Sequence, residues 1–195
     1  SFEPVAVPVT DAEKRQVNAS PSVEINGEVH DIGFNTLMRS GDRINGATFG
    51  LILDENGTPV TERDGSQFVS SDNDFSSLLP RGGKIYNITH FESRPGGMYL
   101  TELSQDTATG MMTPVSTRNI DFSEWCGVWV PCAGSVTPWG NHLGSEEYPP
   151  DARIHEEAES MDDIEDYDKP MLRYFGIADP FADSVTVDDF RAVFN

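Results

Sequence analysis

Short β-prone runs cut by Gly, Pro and Asn turns constrain this chain more than any other feature. "SVEINGEVHDI" reads as two short strands around Asn26-Gly27, a strong hairpin signal. "ATFGLILDENGTPV" repeats the pattern around Asn56-Gly57. "GKIYNITHFE" and "GGMYLTELSQD" are two further strands separated by "SRPGG", and "WCGVWVPCAG" is apolar and β-prone. Seventeen glycines and thirteen prolines supply the turns. Turns at intervals of about ten residues imply an all-β sheet assembly, a sandwich or a propeller, with irregular loops and few helices. The spacing is too uneven for a sequence repeat.

Two segments depart from this pattern. "DARIHEEAESMDDIEDYDKP" (151–170) is strongly acidic and reads as an exposed helix or acidic loop, a solvated charged face. "TVDDFRAVF" has the look of a helix start, with Thr186 or Asp188 as cap. It runs to Asn195 without a stop signal, so residues 1–195 are expected to be one incomplete domain, the N-terminal part of something longer.

Charge narrows the partners. Thirty-three acidic residues against thirteen basic ones give a net charge of −20. Nucleic acid is excluded as a partner, because phosphate binding draws its affinity from Lys and Arg. Anionic ligands would be repelled too, unless bound cations reverse the local field. The acids serve solubility, and some of them suit hard cations such as calcium. No run of eighteen apolar residues spans a membrane, and the chain opens without a basic or apolar leader. Cys126 and Cys132 are an even pair whose disulfide would suit an exported protein. The short "GVWVP" loop would then have to fold sharply.

Three stretches carry chemistry. In "DNDFSSLLP" (72–80), Asp72, Asn73 and Asp74 suit a helix cap or turn, and secondarily an ion. In "ITHFESRPGG", His90 and Glu92 stand at i and i+2 on a strand and project from one face. Such a pair can ligate a metal, or one member can orient the other. "CAGSVTPWGNHLGSEEY" is the most demanding. Small residues follow Cys132, then a Pro-Trp-Gly turn, then the adjacent Glu146 and Glu147. Neighbours on a regular strand face opposite ways, so both carboxylates reach one site only if the backbone is irregular. A thiolate favours iron, zinc or copper and carboxylates favour harder ions, so the mixture suggests a transition metal beside calcium.

These stretches resemble the signature of the PhoX-type alkaline phosphatases, a bacterial family. The likeness rests on Cys132, Ala133, Gly134, Thr137, Pro138, Trp139, Gly140, Leu143 and the Glu146-Glu147 pair. "DNDFSSLLP" is similar to that family's Asn-x-Asp-Phe…Pro segment, and His90 and Glu92 fall in its His and Glu places. The likeness covers roughly residues 70 to 148. Pro131, Ser135, Asn141 and Ser145 depart from it, as does the Ile-Thr inserted before His90.

The resemblance implies part of a β-propeller, periplasmic or extracellular, that hydrolyses phosphomonoesters with iron and calcium as cofactors. Cys132 would ligate iron, Glu146 and Glu147 would be metal carboxylates, and His90 and Glu92 would lie nearby. The expected partner is a small phosphorylated substrate, with no membrane and a monomeric chain. Family members take further acidic ligands and a phosphate-binding arginine from later blades. Two alternatives keep the scaffold: a secreted calcium-binding propeller without catalysis, and a phosphodiesterase. Cys126 has no counterpart in the resemblance and is read as a packing residue.

Overall fold

Alternating side chains and tight glycine turns build the sheets of this protein, described over residues 1–194 by a computed structural model. The backbone forms two units, Ser1–Leu37 and Met38 onward. In the first, α1 (Asp11–Lys14) is closed by a capping box between Thr10 and Glu13. Strands β1 (Ser22–Ile25) and β2 (Glu28–Asp31) pair antiparallel. Asn26 and Gly27 both take positive φ, at 54° and 84°, as the expected two-residue hairpin turn requires. None of this unit's side chains is buried.

The second unit opens with the short pair β3 (Arg43–Ile44) and β4 (Ala47–Thr48). Its centre is a four-stranded antiparallel meander: β5 (Asn73–Arg81), β6 (Lys84–Phe91), β7 (Gly97–Gln105) and β8 (Met112–Asn119), in that order. Strands predominate and helices are few and short, so the chain is mainly β. The segment read as a helix cap, 72–80, is instead strand β5, because Leu78, Leu79 and Pro80 pair with Asn87, Tyr86 and Ile85. The "LDENGTPV" stretch turns at Asn56-Gly57, yet its ladder is only single bridges such as Leu53 with Pro59. Asp54 accepts the backbone N–H groups of Asn56 and Thr58, which curls the loop away from a regular strand.

The two faces of the meander have different partners. On one, Phe91 and Tyr99 meet Phe49, Ile52 and Val60 in the main core. Ring centroids there lie 5.0 to 5.5 Å apart in edge-to-face contact. Toward one end of the other face lies the hairpin of β9 (Pro131–Val136) and β10 (His142–Glu146). Gly134 and Gly144 are paired across this hairpin. A Cβ on Gly134 would overlap the Phe75 ring, and one on Gly144 would sit 3.0 Å from both His90 Cε1 and Met98 Cε. Only a side-chain-free patch lets the hairpin lie this close to the sheet. Before β9 the β-prone "WCGVWV" run is not a strand. It forms a single 3₁₀ turn at Ser123–Trp125 and then irregular backbone.

The acidic segment is more than a solvated face. It forms α2 (Ala152–Glu157) and 3₁₀ turns at Met161–Asp163 and Lys169–Phe175, followed by α3 (Val187–Phe194). Ala158, Ile164, Leu172 and Phe190 make a second core. His155 and Asp168 are buried together, Nε2 to Oδ2 at 3.3 Å. Thr186 caps α3 as expected, exchanging hydrogen bonds with Asp189. Arg173 reaches Glu62 at 3.2 Å and Arg94 stacks over Trp129 and Tyr167, tying this lobe to the sheet and its loops.

Gly134→Val tests the seating of the hairpin. Overpacking against Phe75 is expected to cost about 1–3 kcal/mol in urea unfolding. An unchanged midpoint would contradict the close approach.

Candidate metal centre

Two breaks in strand register aim the side chains of this site. In β5 the register shifts between Asn73 and Ser76, around Asp74 and Phe75. In β10 it shifts between Gly144 and Glu146, just before Glu147. Bulges of this kind re-aim side chains and recur beside functional sites. Glu92 follows the last residue of β6 and is fixed by its N–H, which donates to the Asp72 carbonyl at 2.8 Å. Cys132 is the second residue of β9.

Together these place ligand atoms of Asp74, Glu92 and Cys132 within 4.8 Å of one another. Glu147 adjoins both Glu92 and Cys132. Three elements therefore bring two carboxylates and one thiol together, with Glu147 beside them. Both cysteines are free, so Cys132 is not tied up in a disulfide with Cys126.

Their mutual repulsion is the main electrostatic feature. The Cys132 thiol is pushed up to about 12, first by its contact with Asp74, then by burial and Glu147. The Glu92 carboxyl is raised by burial first, and then by Asp74 and Glu147. The charged neighbours acting on both are acids. A thiolate with carboxylates is a donor set for cations, sulfur for a softer transition metal and oxygen for a harder ion. A bound cation would invert the local balance and draw the proton off the thiol.

The remaining predicted residues divide. Glu146 turns away from the cluster, and its Oε1 accepts the Trp129 backbone N–H at 2.6 Å. Glu146 ends β10 after the register shift and Glu147 lies just beyond the strand, so the two take different partners and only the second adjoins the acids. Trp129 also donates from Nε1 to the Tyr148 carbonyl at 2.9 Å, and Glu147 donates its N–H to Val130 at 3.0 Å. Val130 and Tyr148 both hold positive φ, at 38° and 51°. For a β-branched valine this is a strained backbone costing about 1–3 kcal/mol, a kind of strain concentrated at functional sites.

His90 is fully buried and outside the cluster. Its Nδ1 lies 2.9 Å from the Cys132 carbonyl, and its Nε2 lies 2.7 Å from His142 Nε2. His142 Nδ1 in turn lies 2.8 Å from Ser77 Oγ. A carbonyl only accepts, so His90 carries its proton on Nδ1. Its Nε2 accepts from His142 Nε2–H, and His142 Nδ1 accepts from Ser77. Burial lowers both histidines, which favours this neutral arrangement. His90 thus orients the Cys132 backbone and has no nitrogen left for a metal.

Asp74 is legible in "DND" only as an ion ligand second to a cap, and nothing in the sequence singles out Ser77. His142 was visible in "NHLGSEE" but without a partner. Compared with family models, curated proteins and solved structures, the chain gives no match.

Two measurements check the electrostatics in metal-free protein. At pH 8 the exposed Cys126 should alkylate well before Cys132, and Asp74→Asn should lower the Cys132 pKa and speed its reaction. Equal rates for the two thiols in the wild type would contradict this. Glu92 is raised above its ordinary value of 4.5, so its stabilising contribution is present below that pH. It is lost as pH rises through the higher folded value. Glu92→Gln should flatten this part of the stability profile, and an unaltered slope would count against the cluster.

Proposed function

We propose that this chain is part of a metal-dependent phosphatase of the PhoX type, hydrolysing phosphomonoesters at a site that holds iron and calcium. The observation that carries the reading is the convergence of the Cys132 thiol with the carboxylates of Asp74 and Glu92, with Glu147 adjoining. A cluster of carboxylates alone suits hard cations. The sulfur adds the softer ligand that iron takes.

Cys132, Asp74, Glu92 and Glu147 would hold the cations. When bound, these supply the positive charge that admits a phosphoryl group to a chain of net charge −20 and offsets charge growing in the transition state. The protein's own groups position the ligands. His90 holds the Cys132 carbonyl and Glu146 clamps the segment before β9. The Tyr148 phenol hydrogen-bonds the Glu147 carboxylate, which raises it and helps hold that carboxylate in place.

The four-stranded meander has the form of one propeller blade, which supports a partial β-propeller. Export to the periplasm or beyond, a small phosphorylated substrate and a monomeric state belong to the same reading. No helix among the described residues is long and apolar enough to cross a membrane.

Metal analysis and hydrolysis of p-nitrophenyl phosphate test the proposal. The wild type should carry iron and calcium and hydrolyse the ester. Cys132→Ser should lose iron and activity while calcium stays near normal. An iron-loaded, active Cys132→Ser protein would contradict the assignment, as would a wild type with neither metal and no hydrolysis. Metal uptake without hydrolysis would favour a calcium-binding scaffold.

A further inference from the structure

The chain of hydrogen bonds behind Cys132 has the connectivity of a nucleophile, a base and an orienting group. Ser77 Oγ donates to His142 Nδ1 at 2.8 Å, and His142 Nε2 donates to His90 Nε2 at 2.7 Å. His90 Nδ1 is anchored on the Cys132 carbonyl at 2.9 Å. The fixed carbonyl acceptor allows one direction of donation, so His142 presents an unprotonated Nδ1 to the serine hydroxyl. That is the arrangement which activates a serine: a hydroxyl, a neutral imidazole and a third group that sets the tautomer. All three side chains come from strands, β5, β6 and β10, which hold them rigidly.

This relay adjoins a cleft. His142 lines a cavity of about 430 Å³ whose floor is Leu79, Tyr86, Ile88 and Leu100. Ser77 is the register partner of Ile88 and stands two residues from Leu79 on the same strand face. It is 3% exposed and does not itself line the cleft, which meets the relay at His142. Asn141 lines the same cleft beside His142, with an amide able to donate to a developing oxyanion. Arg81 lines it too and brings a positive charge suited to an anionic end of the substrate. An apolar floor with few polar groups has the character of a small-molecule site.

We propose that Ser77, His142 and His90 form a second hydrolytic centre, independent of any cation, that cleaves small carboxylic esters held in this cleft. Ser77 Oγ bonds to the acyl carbon as its proton passes to His142 Nδ1. The charge formed on His142 is stabilised through its Nε2–H on His90. The acyl carbon–oxygen bond to the alcohol then breaks, and His142 returns the proton to the departing oxygen. Water repeats the sequence on the acylated serine, releasing the carboxylic acid and restoring Ser77.

Chelated, metal-free protein provides the test, with a fluorophosphonate as covalent probe and p-nitrophenyl butyrate as substrate. Peptide mapping should place the phosphonyl group on Ser77, and Ser77→Ala should abolish labelling. Ester hydrolysis should survive chelation and fall by about 10³-fold or more in Ser77→Ala and in His142→Gln. Absence of label on Ser77, or hydrolysis equal in wild type and Ser77→Ala, would overturn the proposal. Chelation separates the two centres: loss of phosphomonoester hydrolysis alone leaves this one standing. Ester hydrolysis lost on chelation and restored by metal would assign it to the cation site and refute the serine mechanism.

Discussion

Everything distinctive in this protein depends on how closely the β9–β10 hairpin lies on the sheet. Two glycines facing each other across the hairpin remove the side chains that would hold it off Phe75, His90 and Met98. That contact puts β9 beside β5 and the end of β6, and so puts Cys132 among Asp74 and Glu92. The same contact buries His90 against the Cys132 carbonyl and His142 against Ser77. Packing this tight is unforgiving, because interiors are filled to crystal-like density. The hairpin has one seat, and the chemistry-bearing groups are fixed by it.

Two groups of acids in this chain respond to the fold in opposite ways. Asp106, Asp163 and Asp189 accept backbone N–H groups at turns and helix starts, which holds each below the ordinary carboxylate range. These are structural acids, stabilising where ionised, and that contribution is lost as pH falls from 3.8 through the lowered folded value. Glu92 and the Cys132 thiol move the opposite way, raised by burial and by the carboxylates beside them. A chain carrying a large negative charge therefore concentrates repulsion at one point where it is not relieved by arginine or lysine. Repulsion of that kind opposes folding, and a cation is the natural relief.

Much of the scaffold was legible because its signals are local. Asn26-Gly27 demands a tight hairpin, β-prone runs on either side of "SRPGG" mark β6 and β7, and Thr186 or Asp188 announces α3. Near-range polarity misled in two places. Asp72, Asn73 and Asp74 have the side chains of a helix cap, but pairing with β6 made the segment a strand. The acidic run from 151 was read as solvated, whereas His155, Ile164 and Asp168 face inward against α3 and the neighbouring turns. In the site, Glu92, Cys132 and Glu147 come together, while Glu146 and His90 take supporting places. The reason is geometric. The backbone breaks register and leaves β10 at these two adjacent glutamates, and the sequence does not say which of them then faces the thiol. The Ser77–His142–His90 relay spans 65 residues and exists only after three strands are assembled.

X-ray absorption at the iron edge of protein incubated with iron tests the proposed centre most directly, because it reads the atoms around any bound ion. The account predicts one sulfur among otherwise oxygen neighbours, and its disappearance when residue 132 is serine. An oxygen-and-nitrogen shell with no sulfur in the unmodified chain would contradict it.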